Sequence, residues 1–190
     1  MHDPWGVIRN EYVMLATLKI SKLDAARRQL EMAIELYFLE RDPVSIHTLA
    51  GAVYQLLSDL NKHRGGKPMV MEASFMKQYI VPGKEKLVMA KLAEAENFFK
   101  HADRDPEKVI DFRPESNEHA LWEACIKYVE MTGEQTHSMQ AMNLWFQLQH
   151  PEVFKYEDWK KRYLMEGKAI TRSIGRSEFY RHVMALKLKG

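Results

Sequence analysis

Hydrophobic positions recur at three- and four-residue steps through much of this chain, the period of a helix with one buried face. From Lys22 the stripe runs Leu23, Ala26, Leu30, Ala33/Ile34 and Tyr37, with Arg27, Arg28, Glu31 and Glu35 on the other face. Ser21, three residues before Asp24, predicts the N-terminal cap. Arg41-Asp42-Pro43 closes this helix and opens the next, with Asp42 as cap and Pro43 in the first turn. The second stripe is Ile46, Leu49, Val53, Leu56/Leu57 and Leu60, ending at Arg64-Gly65-Gly66-Lys67-Pro68. So short a link makes the two helices antiparallel neighbours.

Later elements follow the same logic. Glu72 to Ile80 predicts a short helix. Val88, Leu92, Ala95 and Phe99 predict a long one over 84–102, stopped by Asp105-Pro106. Ser116-Asn117 should cap a helix running to Thr132 and closed by Gly133. Another should span Thr136 to Gln149, and two shorter ones Tyr156–Met165 and Glu178–Leu188, the last capped by Ser177. Tyr12–Ile20 reads either as a short strand or as the lead-in to a helix, and Lys108–Phe112 is a candidate for a brief strand. The expected fold is all-α: an antiparallel helical bundle of five to seven helices, with at most one or two minor strands. Residues 1–150 form the bundle domain. Residues 151–190 form a basic helical extension, packing on the bundle or on a second subunit.

Composition narrows the chemistry. The chain has 190 residues, 46% of them hydrophobic and 28% charged, as in an ordinary soluble domain. Its one cysteine, Cys125, sits in the apolar pattern Leu121–Cys125–Tyr128 and reads as a buried thiol; no intrachain disulfide can form. No apolar run reaches the ~18 residues of a membrane span. The first residues do not resemble a signal peptide, and the expected compartment is the cytoplasm. A net charge of +2 conceals an asymmetry: residues 151–190 hold ten Lys and Arg against five Asp and Glu. Arg172, Arg176 and Arg181 are the candidate nucleic-acid contacts on this arm.

Metal and cofactor chemistry find little support. Asp59 and His63, with His47 on the same helix, read as a polar edge. Glu134-x-x-His137 lacks the second Glu-x-x-His of a di-iron bundle. Gly65-Gly66 lacks the spacing of a phosphate loop. No cofactor and no metal are expected.

The most site-like segment is Glu96-Asn97-Phe98-Phe99-Lys100-His101-Ala102-Asp103-Arg104-Asp105-Pro106. On a helix, Glu94, Asn97, His101 and Arg104 share a face. His101 is a candidate general acid/base and Asn97 a candidate to orient a phosphate or hydroxyl.

With Ala25-Ala26, Ala33, Ser45, Leu49-Ala50 and Ala52 along the first two helices, the chain resembles the HEPN group of helical-bundle proteins over residues 20–150. The group's ribonucleases carry an arginine, a polar residue directly after it and a histidine four to six residues on, often with two subunits sharing one RNA-cleaving cleft. Asn97 and His101 fall at matching offsets, but Glu96 stands at the arginine position, and the segment closes a helix instead of opening one. The resemblance implies a HEPN-like binding or regulatory module without catalysis, acting as a homodimer on a protein or RNA partner. Two alternatives stand beside it. One is a metal-independent ribonuclease using Asn97 and His101, with Arg104 as a displaced cation. The other is an assembly protein using its C-terminal helices.

Overall fold

The computed structural model describes residues 17–69, 72, 82–84, 86–87, 90, 93–103 and 105–186. Among them are six α-helices, one 3-10 turn and no strand. The fold is an all-α helical bundle, as the patterning predicts. The helices are α1 (Lys22–Phe38), α2 (Pro43–His63), α3 (Glu94–Lys100), α4 (Ser116–Thr132), α5 (His137–Gln149) and α6 (Asp158–Ala185), with the 3-10 turn at Pro151–Val153. None is long and apolar enough to cross a membrane among the described residues.

Local chemistry sets most boundaries. Ser21 accepts from the Asp24 N–H at 3.0 Å, Asp42 from the Ser45 N–H at 2.7 Å and Thr136 from the Met139 N–H at 3.4 Å. Gly133, at φ 73°, ends α4 in the left-handed conformation that glycine adopts without penalty. The end of α1 also places a residue in the left-handed region, without a glycine. Arg41 N–H reaches Leu36 O, Glu40 N–H reaches Tyr37 O, and Glu40 takes φ 54°. A non-glycine residue there carries strain of order 1 kcal/mol.

The core joins α1, α2, α4, α5 and the end of α6. Ala26, Leu30, Ala33, Ile34 and Phe38 of α1 are fully buried, as are Val53 and Leu57 of α2, Leu121 and Ala124 of α4, and Met139, Ala141 and Met142 of α5. Burying each such large side chain contributes about 1.5–3 kcal/mol. Phe38 is the hub. Its ring stacks on Tyr180 at 4.7 Å and meets Trp145 edge-on at 5.8 Å and Phe179 at 5.9 Å. Cys125 is buried as expected, and burial pushes its thiol up, so it stays protonated and inert.

Several local expectations need correction. Asn117 caps nothing: it is buried and ties α4 to α2, donating to Pro43 O at 3.0 Å while its Oδ1 meets His47 Nδ1 at 2.8 Å. Lys108–Phe112 is not a strand; Phe112 packs its ring on His47 and Phe99 at 5.1 and 5.2 Å. The helix expected over 84–102 ends at Lys100, because His101 turns to an extended conformation at φ −132°, ψ 129°. Its positions 88 and 92 lie outside the described residues, as do 73–80 of the Glu72–Ile80 helix and residues 12–16 of the first strand candidate; residues 17–20 have no regular structure. The two C-terminal helices are two arms of α6. They join at Gly175, whose φ 78°, ψ 169° breaks the helical path. Ser177 does not cap the second arm; its hydroxyl donates to Phe38 O at 2.8 Å and pins the arm to α1.

Candidate functional site

Asn97 and His101 do come together. Both line an open groove of about 680 Å³ with Leu87, Ala90, Glu94, Phe98, Asp103, Asp105 and Lys108. The His101 N–H donates to Asn97 O at 3.0 Å, which closes α3. Both side chains are exposed. The candidate cation Arg104 lies outside the described residues. Glu96 turns away from this groove. Its carboxylate accepts from Lys100 at 2.5 Å, and its side chain lies 3.4 Å from where a Cβ on Gly51 of α2 would sit. The described charges of the groove are three carboxylates and the ammonium of Lys108, which reaches Glu94 at 3.3 Å. A wall of that sign repels a phosphate.

The three candidate arginines of α6 have different surroundings. Arg181 is exposed and paired with Glu178 one turn back. Arg176 faces the bundle: its Nε lies 3.3 Å from Glu40 Oε1, and its guanidinium sits 4.6 Å above the Tyr37 ring. Burial opposes its charge, but the Tyr37 hydroxyl and Glu40 outweigh burial and raise its pKa above the ordinary value. Arg172 is exposed and makes no ion pair among the described residues.

Arg172 and Arg176 border a second cleft of about 660 Å³ between α1, α4, α5 and α6. One wall is a hydrogen-bond chain that the sequence does not announce. Trp145 Nε1–H donates to the Tyr37 hydroxyl at 3.2 Å, and that hydroxyl donates to Glu118 Oε2. Glu118 Oε1 meets His150 Nε2 at 2.8 Å. Both carboxylate oxygens are therefore occupied, and the imidazole is held from one side. Its other nitrogen, Nδ1, lies 3.8 Å from Glu152, beyond hydrogen-bond reach. The ring is also wedged against Phe146 at 4.6 Å and His119 at 5.2 Å.

Burial, then the negative charge of Glu118, drives the Tyr37 hydroxyl far above its ordinary range, so it acts as a donor at any physiological pH. The opposite wall is α6. Lys168 donates to Gln149 O, and Thr171 accepts from Gln149 Nε2 at 2.8 Å. Gly167 lets α6 approach this closely; a Cβ there would meet Leu148 Cδ2 at 2.5 Å.

No group of three or more His, Cys, Asp or Glu side chains suited to a metal ion occurs among the described residues. Asp59 accepts from Gln55, and His47 is committed to Asn117. No family model, curated protein or solved structure matches the chain.

Proposed function

We propose that this chain is a HEPN-like bundle that works as a binding module without catalysis of its own, and that it pairs with a second copy through the outer face of α6. One observation carries the pairing. Trp159, Tyr163, Ile170 and Ile174 stand on one line of α6 and are 62%, 70%, 61% and 37% exposed, while Leu164 and Thr171 behind them are buried. An amphipathic helix normally hides its large apolar residues; here one stripe packs on the bundle and another faces out.

The outer stripe is self-complementary. A two-fold axis between Glu166 and Gly167 sets Trp159 against Ile174 of the second copy, and Tyr163 against Ile170. Each copy thus offers aromatic rings where the other offers aliphatic side chains, as an isologous contact requires. The four side chains supply on the order of 500 Å² per copy, against ~800 Å² per partner in a standard interface. Lys160, Arg162 and Glu166 flank the stripe and furnish a polar rim.

The acidic wall beside Asn97 and His101 supports the absence of catalysis. Light scattering should give about twice the 22.3 kDa chain mass. Tyr163→Asp should give the monomer with unchanged helical circular dichroism. A wild-type monomer at every attainable concentration refutes the pairing. RNA cleavage that persists in chelator and vanishes in His101→Ala refutes the non-catalytic reading.

A further inference from the structure

A smaller cavity of about 190 Å³, reaching Ile46 and Asn117, adjoins the cleft between α1, α4, α5 and α6. The two share four lining residues, Tyr37, Glu40, Pro114 and Arg176. Tyr37 is buried and hydrogen-bonded, and the Pro114 ring is part of the backbone, so neither can step aside. Glu40 and Arg176 are long side chains that meet each other at 3.3 Å.

Arg176 enters from the break in α6. Gly175 before it takes φ 78°, ψ 169°, a conformation open essentially to glycine alone, yet no atom lies within 4 Å of where its Cβ would stand. The glycine serves chain direction, not space. Just after it, Ser177 donates to Phe38 O at 2.8 Å, and Phe179 and Tyr180 are buried against Phe38. The backbone is pinned there, so Arg176 moves as a side chain and not as a helix. Its holding contacts are weak ones. The 3.3 Å to Glu40 is long for a charge-assisted hydrogen bond. The two side chains keep 34% and 57% of their exposure, so water and salt reach the pair. The 4.6 Å to the Tyr37 ring is an ordinary cation–π distance.

We infer that Arg176 is a salt-released strap: closed over Tyr37 it divides one groove into two cavities, and when ions screen it from Glu40 it swings out and the groove becomes continuous. One half-exposed ion pair and one cation–π contact together favour the closed strap by a factor on the order of 3 to 30. The strap is therefore open roughly 3–25% of the time at low salt, and screening raises that share. A side-chain rotation is all the change requires, so the core behind it, with Phe38 at its centre, stays packed in both states. Arg176 faces the bundle and not the Trp159–Ile174 stripe, so the inference does not rest on self-association.

The test is NMR of the full chain, with radical footprinting beside it. The Arg176 Nε–H lies over an aromatic ring and should carry a ring-current displacement that the exposed Arg172 lacks. Raising NaCl from about 0.05 M to about 1 M should move the Arg176 resonance toward the Arg172 position while helical circular dichroism holds. In Glu40→Gln the resonance should already lie nearer that position at low salt, and salt should move it little further. At one fixed salt concentration, hydroxyl radicals should label Tyr37 about threefold or more faster in Arg176→Ala than in wild type, with Tyr128, equally buried, unchanged. The inference is overturned if the resonance keeps its full displacement at high salt, if Glu40→Gln leaves it where it was, or if Tyr37 labels no faster in Arg176→Ala. Faster labelling of Tyr37 and Tyr128 alike means that the whole bundle has loosened, and it overturns the strap as well.

Discussion

Replacing Tyr37 by Phe removes one oxygen atom and tests whether the cleft wall is a connected hydrogen-bond chain. The ring stays, so its edge contact with Phe38 at 5.4 Å and the guanidinium above it should persist. Two bonds are lost. Trp145 is buried, and its N–H, which donates to the hydroxyl at 3.2 Å, is left without a partner. That costs about 1–3 kcal/mol. Glu118 loses a charge-assisted bond worth about 1.5–3 kcal/mol, of which water in the open cleft recovers a share. The expected destabilisation is about 2–4 kcal/mol, read as a lower urea midpoint with an unchanged slope. In a domain of this size it lowers Tm by roughly 4–16 °C. Tyr128→Phe is the control, since the Tyr128 hydroxyl has no hydrogen-bond partner among the described residues. If Tyr37→Phe falls within about 0.5 kcal/mol of wild type, as an unremarkable surface change would, the chain of bonds contributes nothing and the reasoning fails.

Two further outcomes follow from local geometry. The Asp42 carboxyl is held below its ordinary 3.8 by the Ser45 side chain and backbone at the start of α2. A depressed pKa stabilises the fold above the unfolded value and loses that contribution as pH falls through the folded one. Asp42→Ala should therefore be less stable than wild type at neutral pH, and the two should converge in denaturant melts below the carboxylate range; a constant gap down to the most acidic buffer refutes this. In Gly167→Ala the methyl meets the end of the Leu148 side chain at a cost of about 1–3 kcal/mol, offset by the about 1 kcal/mol that alanine gains over glycine inside a helix, so the net loss should be at most about 2 kcal/mol; combined with Leu148→Ala it should cost less than the two separately, and strict additivity in thermal melts would show that the close approach is not the cause.

The caps were legible in the sequence because they are local. Ser21, Asp42 and Gly133 each act within four residues of themselves. The same locality misleads at Asn117. An amide before a helical pattern looks like a cap, yet this one is a buried tie to α2, and its partners lie 70 and 74 residues away. Gly175 marks the break in α6 through a backbone angle, which a period count does not register.

The sites follow the same division. Asn97 and His101 were found because one short segment holds both. The Tyr37–Glu118–His150 wall takes Tyr37 from α1, Glu118 from α4 and His150 from just after α5, 81 and 32 residues apart, so no spacing rule signals it. Arg176 looked like an outward cation because a four-residue repeat of basic residues does not say which side meets the body. Glu40, its partner, is 136 residues distant.

The stacking of Phe38 on Tyr180 has a consequence for the order of events at the ribosome. Phe38 belongs to α1, yet Phe179 and Tyr180 cover it and Ser177, 139 residues later, binds its carbonyl. Helices α1 and α2 can pair early, but the Phe38 ring is not fully covered until the second arm of α6 has been translated. The nascent protein thus carries an exposed apolar surface while the stretch between α1 and the second arm of α6 is made, the condition under which chaperones engage. A variant lacking the residues from Ser177 on leaves that surface open, so the second arm of α6 is what seals the Phe38 side of the core.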